Sequence, residues 1–383
     1  MIIGQFCETY PPTLDGVGRV MLAYCQTLTE LGHKCLYIAP ENPAYQEEAG
    51  CDALLYPGVG VPGQPYRIGL PAFSGRYRRA AKELSFDLVH AHSPFLAGRA
   101  ARSIAHRRRI PLVATFHSKY YDDFYRATHS RVLSKLALRY VLAFYRSCDE
   151  VWAVNAQTAR VLREYGFTGE IVVMPNGTNP QSVTGEEYAA ALRLYPLREG
   201  VPTLIFVGQM DMKKNTHSIL RACALLQSRG VDFQLLMVGG GQDARRLRSL
   251  CAELGLERRV CFTGFIGDRS VTLSLYKRAD LLVFPSVYDN APMVVREAAA
   301  MGTPALLVEG SCSAEGVTNG VNGFLCQNSV ESIADGILEA LPLSREAGER
   351  ARQSIPIPWD SIMREVLRRY ERLISLKGER SHA

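Results

Sequence analysis

Residues 287–306 read VYDNAPMVVREAAAMGTPAL; they follow the apolar run ADLLVFPS and carry two acids, Asp289 and Glu297. A short β-rich run, a loop with Asp289 and Asn290, then an alanine-rich pattern reads as strand, loop and helix. Pro292 is expected in the first helical turn, where its missing N–H would be unpaired anyway. Asp289 or Asn290 can cap that helix, and Glu297 lies about two turns in, too far to do so. Free amides at a helix start suit a phosphate. A carboxylate nearby is tolerable when it accepts hydrogen bonds from hydroxyls, as ribose offers. A nucleoside diphosphate sugar meets both needs. A capping Asp289 with a solvated Glu297 fits the spacing equally well.

The same alternation runs outward in both directions. Before the quoted stretch come MIIGQF, KCLYIA, DLVHAH, PLVATF, EVWAVN and EIVVMP, with helical patterns over 18–31, 95–109 and 131–145. The cluster PNGTNPQS (175–182) is a turn and linker signal. The pattern then restarts with TLIFVGQM, DFQLLMVGG, RVCFTGF and TPALLVE. Short buried strands alternating with helices predict an α/β protein with parallel sheets. Two doubly wound, Rossmann-like domains are expected, 1–180 and 181–359. The tail repeats Ile362, Val366, Tyr370 and Leu373 at helical spacing, with Arg364, Arg368, Arg369 and Arg372 opposite. This helix, 360–383, is assigned to the first domain.

Composition narrows the class. The 383 residues are 47% apolar and 21% charged, as in globular proteins. No apolar run approaches the roughly 20 residues of a spanning helix. The opening MIIGQFCETYPP lacks a signal peptide's basic and apolar regions. Ten cysteines without a C-x-x-C pair read as small buried hydrophobes in a reducing cytoplasm. Net charge is +6, but between Tyr66 and Arg146 there are 16 Lys/Arg against 4 Asp/Glu. Such asymmetry signals a partner on the first half.

The motif Asp289-x7-Glu297 followed by AAAMGTP resembles the E-x7-E signature of retaining glycosyltransferases of family 4, which have the GT-B architecture. LDGVGR, TFHS, VGQMDMKKN, FTGF, EGVTNGVNGFL and a tryptophan-led terminal helix continue the resemblance in order along nearly the whole chain. It implies two Rossmann-like domains facing a cleft. Glu297 matches the acid that holds ribose. Asp289 matches the first acid, near the donor sugar, where the family usually has Glu. The segment Asn290, Ala291, Pro292 and Met293 matches the backbone beside donor phosphate and sugar. Phe265 and Ile266 match the loop beside the base. Lys214 matches a diphosphate-binding lysine, whose usual arginine partner is replaced by Gln209. His117 matches the histidine beside the donor sugar. Gly16 matches the second glycine of a loop near the phosphate, with Asp15 in place of the first. HSPFLAGR and TFHSKYYDDF look closest to diacylglycerol glucosyltransferases.

The function implied is transfer of a hexose from a UDP-linked sugar to an acceptor hydroxyl, a membrane lipid such as diacylglycerol among the candidates. A soluble acceptor, a nucleotide-sugar 2-epimerase and a sugar-nucleotide-binding module stay as alternatives. Asp122 and Asp123 do not form a D-x-D metal motif and read as a solvated loop. Without H-E-x-x-H or paired Cys/His sets, neither metal nor other cofactor is expected. His90 and His92 alternate on one strand, so only one is expected to face a ligand, His92 being nearer the strand end. Gly239–Gly241 lacks the G-x-G-x-x-G dinucleotide pattern. Arg76, Arg78, Arg79, Lys82, Arg99, Arg102 and Arg109 form a basic face suited to an anionic membrane surface, with Phe73 and Tyr77 entering the headgroup boundary. The plain alternative is a solvated face. No nucleic-acid motif accompanies the charge.

Overall fold

The computed structural model describes residues 1–10, 16–42, 50–61, 67–178 and 182–382. The chain divides into two compact units, one of Met1–Gly177 with Trp359–Ala383 and one of Thr178–Pro358.

The first unit begins with β1 (Ile2–Phe6), α1 (Gly16–Glu30), β2 (Lys34–Pro40) and β3 (Ala53–Tyr56). A short antiparallel ribbon, β4 (Gly58–Gly60) and β5 (Arg67–Gly69), precedes α2 (Gly75–Glu83). Then come β6 (Leu88–Ala91), α3 (Leu96–Arg108), β7 (Leu112–Phe116), α4 (Tyr120–Thr128), α5 (Arg131–Tyr145), β8 (Glu150–Ala153), α6 (Ala156–Glu164) and β9 (Val172–Val173). The sheet order is β3-β2-β1-β6-β7-β8-β9, all parallel. Both faces are covered, so its strands are mostly apolar runs, with Gln5, His90 and Thr115 as buried polar exceptions. Right-handed crossovers put α1 on one face and α3, α5 and α6 on the other.

The second unit repeats the plan. It contains α7 (Gly185–Leu194), β10 (Thr203–Val207), α8 (Thr216–Ser228), β11 (Gln234–Val238), α9 (Ala244–Glu253), β12 (Val260–Gly264) and α10 (Arg269–Arg278). It continues with β13 (Leu281–Phe284), α11 (Met293–Ala300), β14 (Ala305–Val308), β15 (Phe324–Cys326), α12 (Val330–Ala340) and α13 (Ser344–Ser354). Its order, β12-β11-β10-β13-β14-β15, is also parallel.

The last helix, α14 (Trp359–His382), returns to the first unit. Its apolar stripe is buried at Ile362, Met363, Val366 and Tyr370. Tyr370 stacks on Trp152 at 5.7 Å, and Trp359 meets Tyr24 edge-on at the same separation. Arg369 does not sit on the solvent side of the helix; it is largely buried in an ion pair with Glu150, while Lys377 reaches Asp149. Gly177 is required at the crossing, because a Cβ there would fall 2.5 Å from the Trp359 ring.

Three readings are corrected. Asp122 and Asp123 are not a solvated loop; they occupy the first turn of α4, where the helix dipole favours acids. His90 and His92 do not face opposite ways: residues two apart on a strand share a face, and the rings stack at 4.3 Å. Tyr77 is buried on the inner face of α2, beside Tyr56, and only Phe73 stays exposed there.

Candidate active site

In a doubly wound sheet, ligands bind beyond the carboxyl ends of strands where the strand order reverses. In the second unit that point lies between β10 and β13, and the two loops leaving them carry Lys214 and Asp289. Lys214 ends a short 3-10 turn (Met212–Lys214) capped by the Asp211 side chain. Its Nζ donates to Asp289 Oδ1 at 2.5 Å, with both side chains mostly buried. Ser286 Oγ donates to Asp289 Oδ2 at 2.6 Å, which fixes the carboxylate from its other side. Ser313 Oγ in turn donates to the carbonyls of Ser286 and Asp289. Asp289 is therefore not a helix cap. Pro292 occupies the cap position of α11, and its side chain makes no hydrogen bond to the first turn.

Glu297 is not solvated either. It is buried on α11, and Oε1 accepts from Arg269 Nη1 at 3.2 Å. Arg269 is half exposed, so the pair opens toward water on one side only. Phe265, 76% exposed, leads the loop after β12, and Ile266 packs partly against the core. Gln209 is exposed immediately after β10. Gly239 and Gly241 serve packing: a Cβ on Gly239 would lie 2.0 Å from the Gly208 carbonyl oxygen, and one on Gly241 2.6 Å from that of Met210.

In the first unit the reversal lies between β1 and β6. Glu8, after β1, accepts from the Ala97 amide at 2.8 Å and from Ser93 Oγ at 3.2 Å. Burial raises its pKa above the usual carboxyl value, and these bonds pull it back in part. Beside it runs a buried hydrogen-bonded chain. His117 Nε2 lies 3.1 Å from His92 Nδ1, and His92 Nε2 is 2.9 Å from Gln5 Oε1. Gln5 Nε2 donates to Tyr370 Oη, which lies 2.5 Å from His90 Nδ1, and His90 Nε2 reaches Thr115 Oγ1 at 2.7 Å.

Burial holds all three histidines far below their ordinary pKa, His117 at about 3, so they are neutral near pH 7. Neutral imidazole has one donor and one acceptor. With Gln5 oriented as in the structure, His92 donates from Nε2 and accepts at Nδ1. His117 must then carry its proton on Nε2, leaving Nδ1 as its acceptor.

Gly16 opens α1 with clear space above it, since an added Cβ would meet nothing within 4 Å. Asp15 lies outside the described residues. Arg76, Arg78, Arg79, Lys82, Arg99, Arg102 and Arg109 are exposed. Arg109 is not part of the α3 stripe, because it caps that helix in the left-handed region. Among the described residues no group of three or more His, Cys, Asp or Glu is placed to hold a metal ion. No described helix is long and apolar enough to cross a membrane.

Residues 14–182 match the family model for Glycosyltransferase Family 4, and 193–354 that for Glycosyl transferases group 1. The chain belongs to glycosyltransferase family 4. This transferase has the GT-B fold and uses a nucleotide-sugar donor. It is 24% identical to a GDP-mannose-dependent alpha-mannosyltransferase of Corynebacterium glutamicum, over 98% of this chain and 90% of that protein. It is also 24% identical to an alpha-monoglucosyldiacylglycerol synthase of Acholeplasma laidlawii, over 87% and 86% of the two chains. Its fold matches Anabaena Alr3699/HepE in complex with UDP and glucose at a TM-score of 0.78, with 18% identity over 97% and 99%.

Sequence reasoning missed the residues that hold the transferase's candidate groups. Arg269, Ser286, Gln5 and Tyr370 carry no motif of their own. Only the two-residue spacing of His90 and His92 hinted at a shared polar face.

Proposed function

We propose that the protein transfers a hexosyl group from a UDP-linked sugar to an acceptor hydroxyl with retention of anomeric configuration. The observation that carries this reading is the Lys214–Asp289 pair beyond β10 and β13, with buried Glu297 on the helix that follows. Glu297 binds the ribose hydroxyls. The diphosphate draws Lys214 away from Asp289 and sits at the N-terminal end of α11, near Asn290, Ala291, Pro292 and Met293. Charge builds on the departing diphosphate, where a fixed cation lowers the barrier most. Asp289, released by Lys214 and still held by Ser286, accepts from a sugar hydroxyl. Phe265 and Ile266 flank the base, and Gln209 gives a neutral hydrogen bond where the family places an arginine. In the first unit, His117 Nδ1 accepts from a donor-sugar hydroxyl, and Gly16 lets backbone approach the phosphate.

Lys214 and the helix amides supply the positive field, so the chemistry proceeds without a divalent metal. The acceptor proposed is a lipid hydroxyl at an anionic membrane surface. The name of the Acholeplasma relative and the basic first unit support it. A screen of UDP- and GDP-linked sugars, read by nucleotide release with and without lipid vesicles and chelator, tests these points. Release only from GDP-mannose, or only after magnesium or manganese is restored, overturns the donor or the metal-free chemistry respectively. Epimerised donor, or binding without release, overturns transfer itself.

A further inference from the structure

We propose that α5 and the adjoining face of α3 form a docking surface for an anionic lipid leaflet. The inference names the surface that the lipid-acceptor reading requires, and it rests on that reading only for its purpose. One face of α5 is buried through Leu138, Val141, Leu142 and Phe144. The opposite face exposes Val132 (69%), Leu133 (53%), Leu136 (53%) and Tyr140 (42%). Positions 132, 136 and 140 recur every four residues, so they form one ridge along the helix. Large apolar side chains aligned in this way are kept in water only at a cost.

Charge selects the partner. Arg131, Lys135 and Arg139 lie on the same exposed turns of α5. Arg99 of α3 stacks its guanidinium 3.8 Å from the centroid of Tyr140, which joins the two helices into one surface. Beyond Arg99, an open depression of about 390 Å³ is lined by Arg99, Arg102, Ser103, His106 and Arg107. From Leu96 to Arg146 the chain has 11 Lys/Arg against 2 Asp/Glu, and those two acids lie in the first turn of α4. A cationic rim around an apolar ridge is the arrangement of an interfacial helix. The ridge enters the headgroup boundary, and the α3 depression receives anionic headgroups. Helix α2 offers less, because Tyr77 is turned into the core and the exposed aromatic nearby, Phe73, lies in the turn before the helix.

The test uses the full chain without donor, floated with phosphatidylcholine vesicles and with mixed phosphatidylcholine–phosphatidylglycerol vesicles. Wild type should be retained on the mixed vesicles alone. Leu133→Ser with Leu136→Ser and Tyr140→Ser, and separately Arg99→Glu with Arg102→Glu, should each lower retention by about tenfold or more. Changing Arg78, Arg79 and Lys82 to Glu should alter it by less than about threefold. Unchanged melting and UDP binding in each variant show that folding is intact. Equal retention on both vesicle types, ridge variants that bind like wild type, or self-association lost in the ridge variants overturns the proposal. Nucleotide release without vesicles reports transfer separately. Retention without turnover sinks the transfer reading and leaves docking, whereas turnover without retention does the reverse.

Discussion

The two units place their polar groups at equivalent points of equivalent sheets, yet build them from opposite materials. At the β10/β13 reversal the groups are charged, paired and partly wet: Lys214 with Asp289, Arg269 with Glu297. At the β1/β6 reversal they are neutral and dry, with His90, His92 and His117 linked through Gln5 to Tyr370. A charged pair near water exchanges partners at little cost when a stronger anion arrives. A buried neutral chain cannot exchange; removing one member leaves its neighbour unsatisfied. The second unit can thus yield its charged groups to a new partner, whereas the first holds its polar groups in fixed positions.

The sharpest way to break this contrast is at Tyr370. Tyr370→Ala should cost about 3–5 kcal/mol of stability, the range for emptying a buried aromatic site. Tyr370→Phe keeps the packing but strands Gln5 Nε2 and His90 Nδ1, and should cost about 1–3 kcal/mol. Denaturant unfolding measures both, and equal losses would show that the hydrogen bond, not the ring, carries the site. Next is Lys214→Ala, expected to lower kcat/KM by about 10²–10³-fold through lost charge on the leaving group. Its stability should fall by about 1–3 kcal/mol, because the pair is largely buried and Asp289 keeps its bond from Ser286. A large stability loss would make this pair as structural as the histidine chain.

Glu297→Gln should weaken UDP binding by about 1–3 kcal/mol, and Asp289→Asn should lower turnover more than nucleotide affinity. Calorimetry with free UDP separates the two, and identical effects would end the division of roles. The histidine chain as a whole is tested by pH. Each histidine is neutral in the fold and titrates near 6.5 when unfolded. The unfolded chain therefore binds more protons below pH 6.5. The stability from these groups is complete above that pH and falls by about 1.4 kcal/mol per unit per histidine as pH drops toward the folded values. Glu8, raised by burial, works in the opposite sense. Histidine NMR from pH 7 to 5 should show three imidazoles that do not titrate. A midpoint near 6.5 for His117 would place it with the exchangeable groups of the second unit.

Much of this was legible locally. Continuous apolar runs foretold the parallel sheets. Lys214, Asp289 and Glu297 stood at strand ends or just inside the next helix because strand, loop and helix are consecutive in the chain. Even Pro292 was misplaced by a single position, as the cap of α11 in place of its first turn.

What the sequence alone determined is therefore what depends on neighbours in the chain: the alternation of elements, the return of an amphipathic terminal helix, and the residue types offered where strands end. Only the tertiary structure decided the partners. Arg269 reaches Glu297 from another helix, and Tyr370 meets Gln5 across 365 positions. It also decided which side chains stay in water, burying Tyr77 and leaving Leu136 and Tyr140 exposed. The physical reason is that periodicity reports one element's faces, whereas burial and hydrogen bonding depend on what the sheet order lays against each face.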